Sequence, residues 1–249
     1  MRMENKQNEA PFEIYLENLA AYTAGGMKGE WIQLPQKEET LREIVAHIAD
    51  QEEEVMISDV SVREDCGFMR EIIGEWSNVY DLNLIAQLIG DEPHPAVQTY
   101  VEVNNTLDLE ELANLFMQED EIPFHPYEFE NSDNPELMGR LSEDEKMGYT
   151  MIEKDPEIKA ALENMQLGTS NAMSYIDVEA VGRDLFLSNY VYASEGGYYN
   201  MLEEGPDLDA YTLHEIRGKL AEKGPSMGQR QARAQQKERQ RQPDSSPSM

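Results

Sequence analysis

Carboxylates are the reactive groups this sequence supplies in quantity: 50 Asp and Glu stand against 20 Lys and Arg, for a formal net charge of −30. Carboxylates in number can build a metal site, an acid–base pair or an anionic surface, and spacing decides among the three. A metal site needs convergent ligands, and the four histidines, His47, His94, His125 and His214, show no paired spacing. The single cysteine, Cys66, can form neither a thiolate cluster nor an intramolecular disulfide, and reads as a buried or inert thiol. No acidic run has the register of an EF-hand calcium loop, with its central glycine and closing glutamate. Catalytic motifs are missing too: there is no G-x-S-x-G, no P-loop and no G-x-G-x-x-G. Pairs of acids are so frequent that none singles out a glycosidase-like dyad. The expectation is a protein that is not an enzyme and uses no cofactor and no metal.

What remains is how the acids are distributed. Residues 1–214 hold 46 acids and 12 bases, a net of −34, whereas 215–249 hold 4 acids and 8 bases, a net of +4. Crowding like charges into a compact body costs stability. Here the acids alternate with apolar residues at core spacing, so the charge belongs to a folded surface. Duplex DNA carries one negative charge per ~1.7 Å of axis, so 34 net charges correspond to about 17 base pairs. A protein cleft that grips phosphates with Lys and Arg accepts suitably spaced Asp and Glu, because both anions fit the guanidinium fork. The groups expected to form such a DNA-mimicking surface are Glu38, Glu39, Glu43, Asp50, Glu52, Glu53, Glu54, Glu110, Glu111, Glu119, Asp120, Glu121, Glu128 and Glu130. The same charge fits a second reading, an acidic adaptor or chaperone for basic nucleic-acid-binding proteins, and a third in which acidity only aids solubility. It disfavours direct DNA binding by the acidic body. No apolar run nears the ~20 residues that span a membrane, and residues 1–9 lack an apolar signal core, so a cytoplasmic protein is expected.

The elements that must position these acids read as α+β. Phe12 to Leu34 has the pattern of a hairpin, broken at Gly25-Gly26 and Gly29 and ended by Pro35. Leu41, Ile44, Val45 and Ile48 make one helical stripe, and Val55–Val60 a third strand. Phe68, Ile72, Trp76 and Val79 form a second stripe, after which Asp81 caps a short helix ending at Gly90. Residues 95–104 suit a helix opened by Pro95, and Asp108 with Glu111 form a capping box for the next. Pro123 and Pro126 confine 122–129 to an edge strand or extended loop. Residues 131–146 read as a mobile insertion. A helix capped by Asp155 follows, then a short helix around Ser174–Val181, and strands at Asp184–Ala193 and Tyr198–Leu202. Tyr211–Lys223 allows a helix but shows no clear apolar stripe, and from Gly224 the chain is Gln, Arg, Ser and Pro. The division expected is an N-terminal α+β domain at 12–62, a helical middle domain at 63–121, a C-terminal α+β domain at 122–204, and a basic, largely disordered tail at 205–249.

Two blocks then carry a resemblance. Tyr15, Asn18-Leu19, Tyr22, Gly25, Gly29, Trp31 and Pro35 stand in the order and spacing that open the ArdA-type antirestriction proteins. Near the other end, Tyr175-Ile176-Asp177, Ala180 and Gly182-Arg183-Asp184-Leu185 are similar to that family's C-terminal signature. Ile57-Ser58-Asp59 resembles the close of its first domain. The resemblance covers roughly 12–202 and implies an elongated molecule of three small domains in a row, a homodimer joined through the C-terminal domains. It implies a DNA mimic that occupies the DNA cleft of type I restriction–modification enzymes, at their specificity and methyltransferase subunits, and that is carried by conjugative plasmids and other mobile elements. The chain departs from the family pattern around 131–150 and after 205. The signature residues themselves read as mostly structural: Tyr15 and Trp31 as core and hairpin packing, Gly25 and Gly29 as turn formers, Arg183 and Asp184 as a local or interface ion pair.

Overall fold

A computed structural model describes residues 10–50, 54–91, 93–104, 107–188, 190–194 and 196–223. These form a mixed α+β protein with small antiparallel sheets. Contacts divide it into two compact units: residues up to 93 with 106–118 and 207 onward, and residues 94–105 with 119–206.

The first unit is built on β1 (Phe12–Asn18), the central strand of a three-stranded sheet. Alternation along β1 sends Phe12, Ile14 and Leu16 into the core and Glu13 and Tyr15 to the opposite face. A one-turn helix α1 (Leu19–Thr23) follows at once, and its end makes a Schellman motif: Gly26 N–H bonds the Ala21 carbonyl and Gly25, at φ +78°, bonds that of Tyr22. The chain then returns antiparallel as β2 (Gly29–Leu34). Helix α2 (Glu38–Ala49) lays Leu41 and Ile48 on the sheet, and β3 (Val55–Val62) completes it beside β1. Gly29 is needed for close approach: a Cβ there would sit 2.5 Å from the Leu16 carbonyl oxygen.

Asn18 joins these pieces. Fully buried, it accepts a hydrogen bond from Ala21 N–H at 2.8 Å as the N-cap of α1. Its amide nitrogen donates to the carbonyls of Ile48, at 3.0 Å, and Ala49, at 3.2 Å, two of the acceptors left unpaired at the end of α2.

The next stretch departs from the sequence expectation. The stripe at Phe68, Ile72, Trp76 and Val79 does not form one helix; α3 (Met69–Ile72) stops after one turn, and Trp76 is 62% exposed. Residue Ile73 is extended, and the Glu75 backbone carbonyl accepts a hydrogen bond from Ile57 N–H on β3, which ties this turn to the sheet. The cap of α4 (Val79–Ile89) is Asn78, not Asp81, because the Asn78 side-chain oxygen Oδ1 accepts from the backbone N–H of both Tyr80 and Asp81. Buried Asn83 on α4 brackets Gln36, accepting from its N–H at 2.7 Å and donating to its C=O at 3.1 Å.

Helix α5 (Pro95–Asn104) belongs to the second unit, and α6 (Leu109–Met117) to the first. The capping box at Asp108 and Glu111 forms as its spacing predicts. In the second unit, β4 (Phe124–Pro126) is an edge strand, as its prolines require. Residues 131–146, expected as a mobile insertion, contain α7 (Pro135–Met138) and the first turn of α8 (Glu143–Lys154), capped by Asn134 and by a Ser142–Glu145 capping box. Then come α9 (Pro156–Asn164), capped by Asp155, and a small hairpin of β5 (Gln166–Leu167) and β6 (Ser170–Asn171).

Helix α10 (Val178–Leu187) replaces both the short helix at 174–181 and the start of the strand at 184–193. Asp177 caps it, and it crosses α8 at backbone contact. A Cβ on Gly182 would lie 1.8 Å from the Asp144 carbonyl oxygen, and one on Gly148 would lie 2.0 Å from that of Val178. Strands β7 (Val191–Ser194) and β8 (Gly197–Asn200) close the sheet in the order β4-β8-β7, around a core of Tyr127, Met147 and Tyr198.

The segment after 205 is ordered further than its composition implies: α11 (Leu213–Lys223) buries Ile216 completely. Asn114 and Gln118 of α6 fasten the approach to it. Asn114 accepts from Tyr211 N–H at 2.9 Å and donates to Tyr211 C=O at 2.7 Å, and Gln118 donates to Asp207 C=O at 2.8 Å. Thr212 and Glu215 exchange the bonds of a capping box. Residues 224–249, with the basic run Arg230 to Arg241, lie outside the described residues.

Two substitutions test this framework. Asn18→Ala removes a helix cap and the donor to two buried carbonyls, and is expected to lower unfolding stability by about 2–4 kcal/mol in urea titration. Gly182→Ala forces α8 and α10 apart and is expected to cost about 3 kcal/mol or more by the same measurement.

Candidate anionic interaction surface

Helix α2 carries the densest set of the expected acids in the first unit. Glu38, Glu39 and Glu43 are exposed along its 12 residues, about 18 Å of axis. Glu38 and Glu39 occupy the first turn, where the helix dipole favours anions. Glu38 receives Arg42 at 2.8 Å, and Asp50, which ends the helix at φ 37°, receives Lys28 at 2.9 Å. The hydrogen bond from Lys28, and then its charge, hold the Asp50 carboxyl below its ordinary value. Glu39, Glu43 and Glu54 are exposed and form no ion pair among the described residues. Glu52 and Glu53 lie outside the described residues.

The pair on α6 is more committed to structure than its spacing suggests. Glu111 bonds back to Asp108 N–H at 2.9 Å, and Glu110 accepts from Leu213 N–H at 3.1 Å. In the second unit, Glu119, Asp120 and Glu121 form an exposed 3-10 turn, and Glu128 and Glu130 are exposed beyond β4. Glu130 also lines a cavity of about 350 Å³ with Phe129, Tyr149 and Lys159. There Lys159 holds Glu153 at 2.6 Å, and that hydrogen bond raises the lysine pKa, opposed by partial desolvation.

The structure exposes further acids that the sequence reading passed over. Glu203, Glu204, Asp207 and Asp209 are exposed, and their density, four acids in seven residues, was a usable signal. Glu143, Asp144 and Glu145 fill the first turn of α8 but are only half-exposed, Glu143 pairing with Lys146 and Asp144 with Arg183. The bases, by contrast, are mostly used locally: Lys28, Arg42, Arg63, Arg140, Lys146, Lys159, Arg183 and Arg217 each pair with an acid. Most of the surplus carboxylates therefore face solvent, although Glu17 is buried.

The signature residues take mainly structural places. Asn18 is the junction described above, Gly25 supplies the left-handed turn, Asp177 is a cap, and Gly182 is the helix crossing. Pro35 follows a cis peptide bond and Tyr22 is exposed at the end of α1. Two readings are corrected. Arg183 pairs with Glu179, one turn back, and with Asp144 on α8 at 3.3 Å, whereas Asp184 points to solvent, because adjacent helical residues do not face each other. Trp31 is not a core residue; it is 46% exposed on the outer sheet face, edge-to-face with Tyr15 at 5.5 Å. Cys66 is fully buried, and burial pushes its thiol up to about 12 despite the opposing charge of Arg63.

Among the described residues there is no group of three or more His, Cys, Asp or Glu that could hold a metal ion, and no helix long and apolar enough to cross a membrane. Fold and surface together define an acidic α+β protein that presents carboxylates to solvent. Its family is settled by comparison: the family model for antirestriction protein (ArdA) matches residues 14–200, and the chain belongs to that family. Antirestriction, and interaction with restriction–modification enzymes, are what membership implies. Comparison with curated proteins gives no significant match.

Two measurements follow from these environments. Ellman's reagent at pH 8 is expected to leave Cys66 unlabelled in the folded protein and to label it fully after unfolding. Asp50 has a folded pKa below its ordinary 3.8, so its pairing stabilises above that value and is lost as pH falls through the lower folded value. Asp50→Asn should therefore flatten the stability profile only at the acid end, below about pH 4.

Proposed function

We propose that this protein inhibits type I restriction–modification enzymes by charge mimicry, occupying the DNA cleft at the specificity and methyltransferase subunits. The observation that carries the reading is the surplus of exposed carboxylates on helices, turns and the segments between them, among them Glu39, Glu43, Glu54, Glu119, Asp120, Glu121 and Glu128, in a chain of the antirestriction family. Such carboxylates offer a phosphate-binding cleft the same bidentate partners as a DNA backbone. Small domains set in a row, and a homodimer joined through residues 122–204, would extend the anionic track. Two such bodies would present about 34 base-pair equivalents, enough for a bipartite target.

Binding of this kind releases counter-ions, associates fast by steering and weakens steeply with salt. The mimicry is spread over many acids, with no single one indispensable. Glu39→Gln alone is expected to change inhibition less than about threefold. The combined change of Glu39, Glu43, Glu119, Asp120 and Glu128 to amides should lower the salt slope by roughly one unit per group, as losing a phosphate contact does.

The direct test is DNA cleavage by a purified type I enzyme, with this protein titrated in at two salt concentrations. Salt-sensitive inhibition near stoichiometric amounts, relieved by excess specific DNA, is the expected result. Inhibition that 300 mM added salt leaves unchanged would remove the electrostatic mechanism, and inhibition by no type I enzyme would send the acidic surface to other basic partners.

A further inference from the structure

The outer face of the first sheet is not accounted for by dispersed charge. Register across the three strands puts Asp59, Tyr15 and Trp31 in one row, and Ser61, Glu13 and Gln33 in the next. Each row is about 10 Å wide, two strand spacings. Directly opposed residues of an antiparallel sheet share a face, and Phe12, Ile14 and Leu16 take the other one. The outer face therefore holds an aromatic pair with one carboxylate, Asp59, across the row from Trp31 and another, Glu13, diagonal to it in the next row. Trp31 is 46% exposed with exposed Gln33 beside it on β2, and exposed Asp59 stands at the other end of the row, beside Tyr15.

Local geometry fixes the pair. Gly29, next to Trp31 but one along the strand on this same face, leaves room for the Tyr15 ring, since a Cβ there would be 3.1 Å from Tyr15 Cε1. The two rings meet edge to face at 61° and are not stacked flat on each other. Glu13 is oriented by Gln33, whose amide donates to it, and Asp59 by Val60 N–H at 2.8 Å. Neither Glu13 nor Asp59 forms an ion pair among the described residues, and none of the six positions in the two rows is Lys or Arg.

A phosphate cleft is met by carboxylates alone; an exposed indole adds nothing to that match. Indole beside carboxylate is instead the environment of a guanidinium, which stacks flat on the ring while its N–H fork meets the anion. A lysine ammonium shares the charge but neither the plane nor the fork. We propose that this face is an arginine-binding hot spot: Trp31 and Tyr15 receive a guanidinium from the partner protein, and Glu13 and Asp59 neutralise it. The inference rests on the reading that the partner is a basic nucleic-acid-binding surface, and deepens it by naming the side chain read at this spot. It also separates this patch from α2 and the 119–121 turn, which discriminate by charge only.

The test uses the full chain with Trp76→Phe, so that Trp31 is the only fluorophore of its kind. Nona-arginine and nona-lysine peptides, of equal charge, are titrated at low salt with Trp31 emission and an independent binding signal both recorded. The expected result is a saturable change in Trp31 emission with nona-arginine, and an affinity about threefold or more above that for nona-lysine. Trp31→Leu should abolish that preference while leaving salt-dependent binding of both peptides, and Asp59→Asn, which keeps the indole, should reduce it. Equal affinities for the two peptides, or a preference that survives Trp31→Leu, would overturn the proposal. So would a Trp31 already shielded from acrylamide in the free protein and uncovered by deleting residues 2–9, since Arg2 and Lys6 would then be the occupants. Thermal unfolding of each variant reports folding separately. The peptide result does not depend on any restriction enzyme: loss of inhibition by Trp31→Leu links the hot spot to the target, whereas an unmodified protein that fails to inhibit counts against the proposed function and not against arginine recognition.

Discussion

Self-repulsion is the constraint under which everything else in this protein is arranged. Residues 1–214 carry a net charge of −34, and each exposed carboxylate raises the cost of compacting the rest. Ion pairs cannot relieve it, because acids outnumber bases almost fourfold over that stretch. Stability has to come from apolar burial and from neutral hydrogen bonds. The acids themselves are placed where the backbone tolerates them best, in the first turns of α2, α6 and α8, against the positive ends of the helix dipoles.

That constraint explains a repeated device. Where elements must be tied together, the tie is a carboxamide that imitates a backbone partner. Asn18 joins β1, α1 and the end of α2; Asn83 brackets Gln36; Asn114 and Gln118 fasten the segment leading into α11. An amide brings both a donor and an acceptor without adding charge, so a buried junction is satisfied at no electrostatic penalty. Where even a side chain is too much, glycine lets backbones touch, as Gly148 and Gly182 do between α8 and α10.

The same arrangement leaves the surface available for binding. Bases that pair locally hold acids such as Asp50 and Glu153 in place but leave Glu39, Glu43, Glu54 and the 119–121 turn to solvent. The chain belongs to the antirestriction family, and beside its carboxylates the first sheet exposes an aromatic pair, Tyr15 and Trp31. The family signature itself is largely the scaffold: its asparagine, glycines and aspartate are a junction, a turn, close approaches and a cap.

Much of this was legible in the residues themselves. The charge, the α+β pattern, the stripe on α2, the capping box at Asp108 and the edge strand held by its prolines all follow from rules that act within a few residues. What failed were the places where a distant partner overrode a local preference. Phe68 to Val79 has helical spacing, yet Glu75 pairs with Ile57 of β3, and the stripe breaks. Tyr211–Lys223 shows no apolar face, yet it is ordered by Asn114, Gln118 and the burial of one residue, Ile216, although the Thr212–Glu215 cap was there to be read. Composition and periodicity determine which residues seek the interior and how many charges must stay outside. Which carboxylates are spent on capping, which side of a sheet carries Trp31, and which glycine marks a helix crossing are decided only by tertiary structure, because each depends on an atom contributed from elsewhere in the chain.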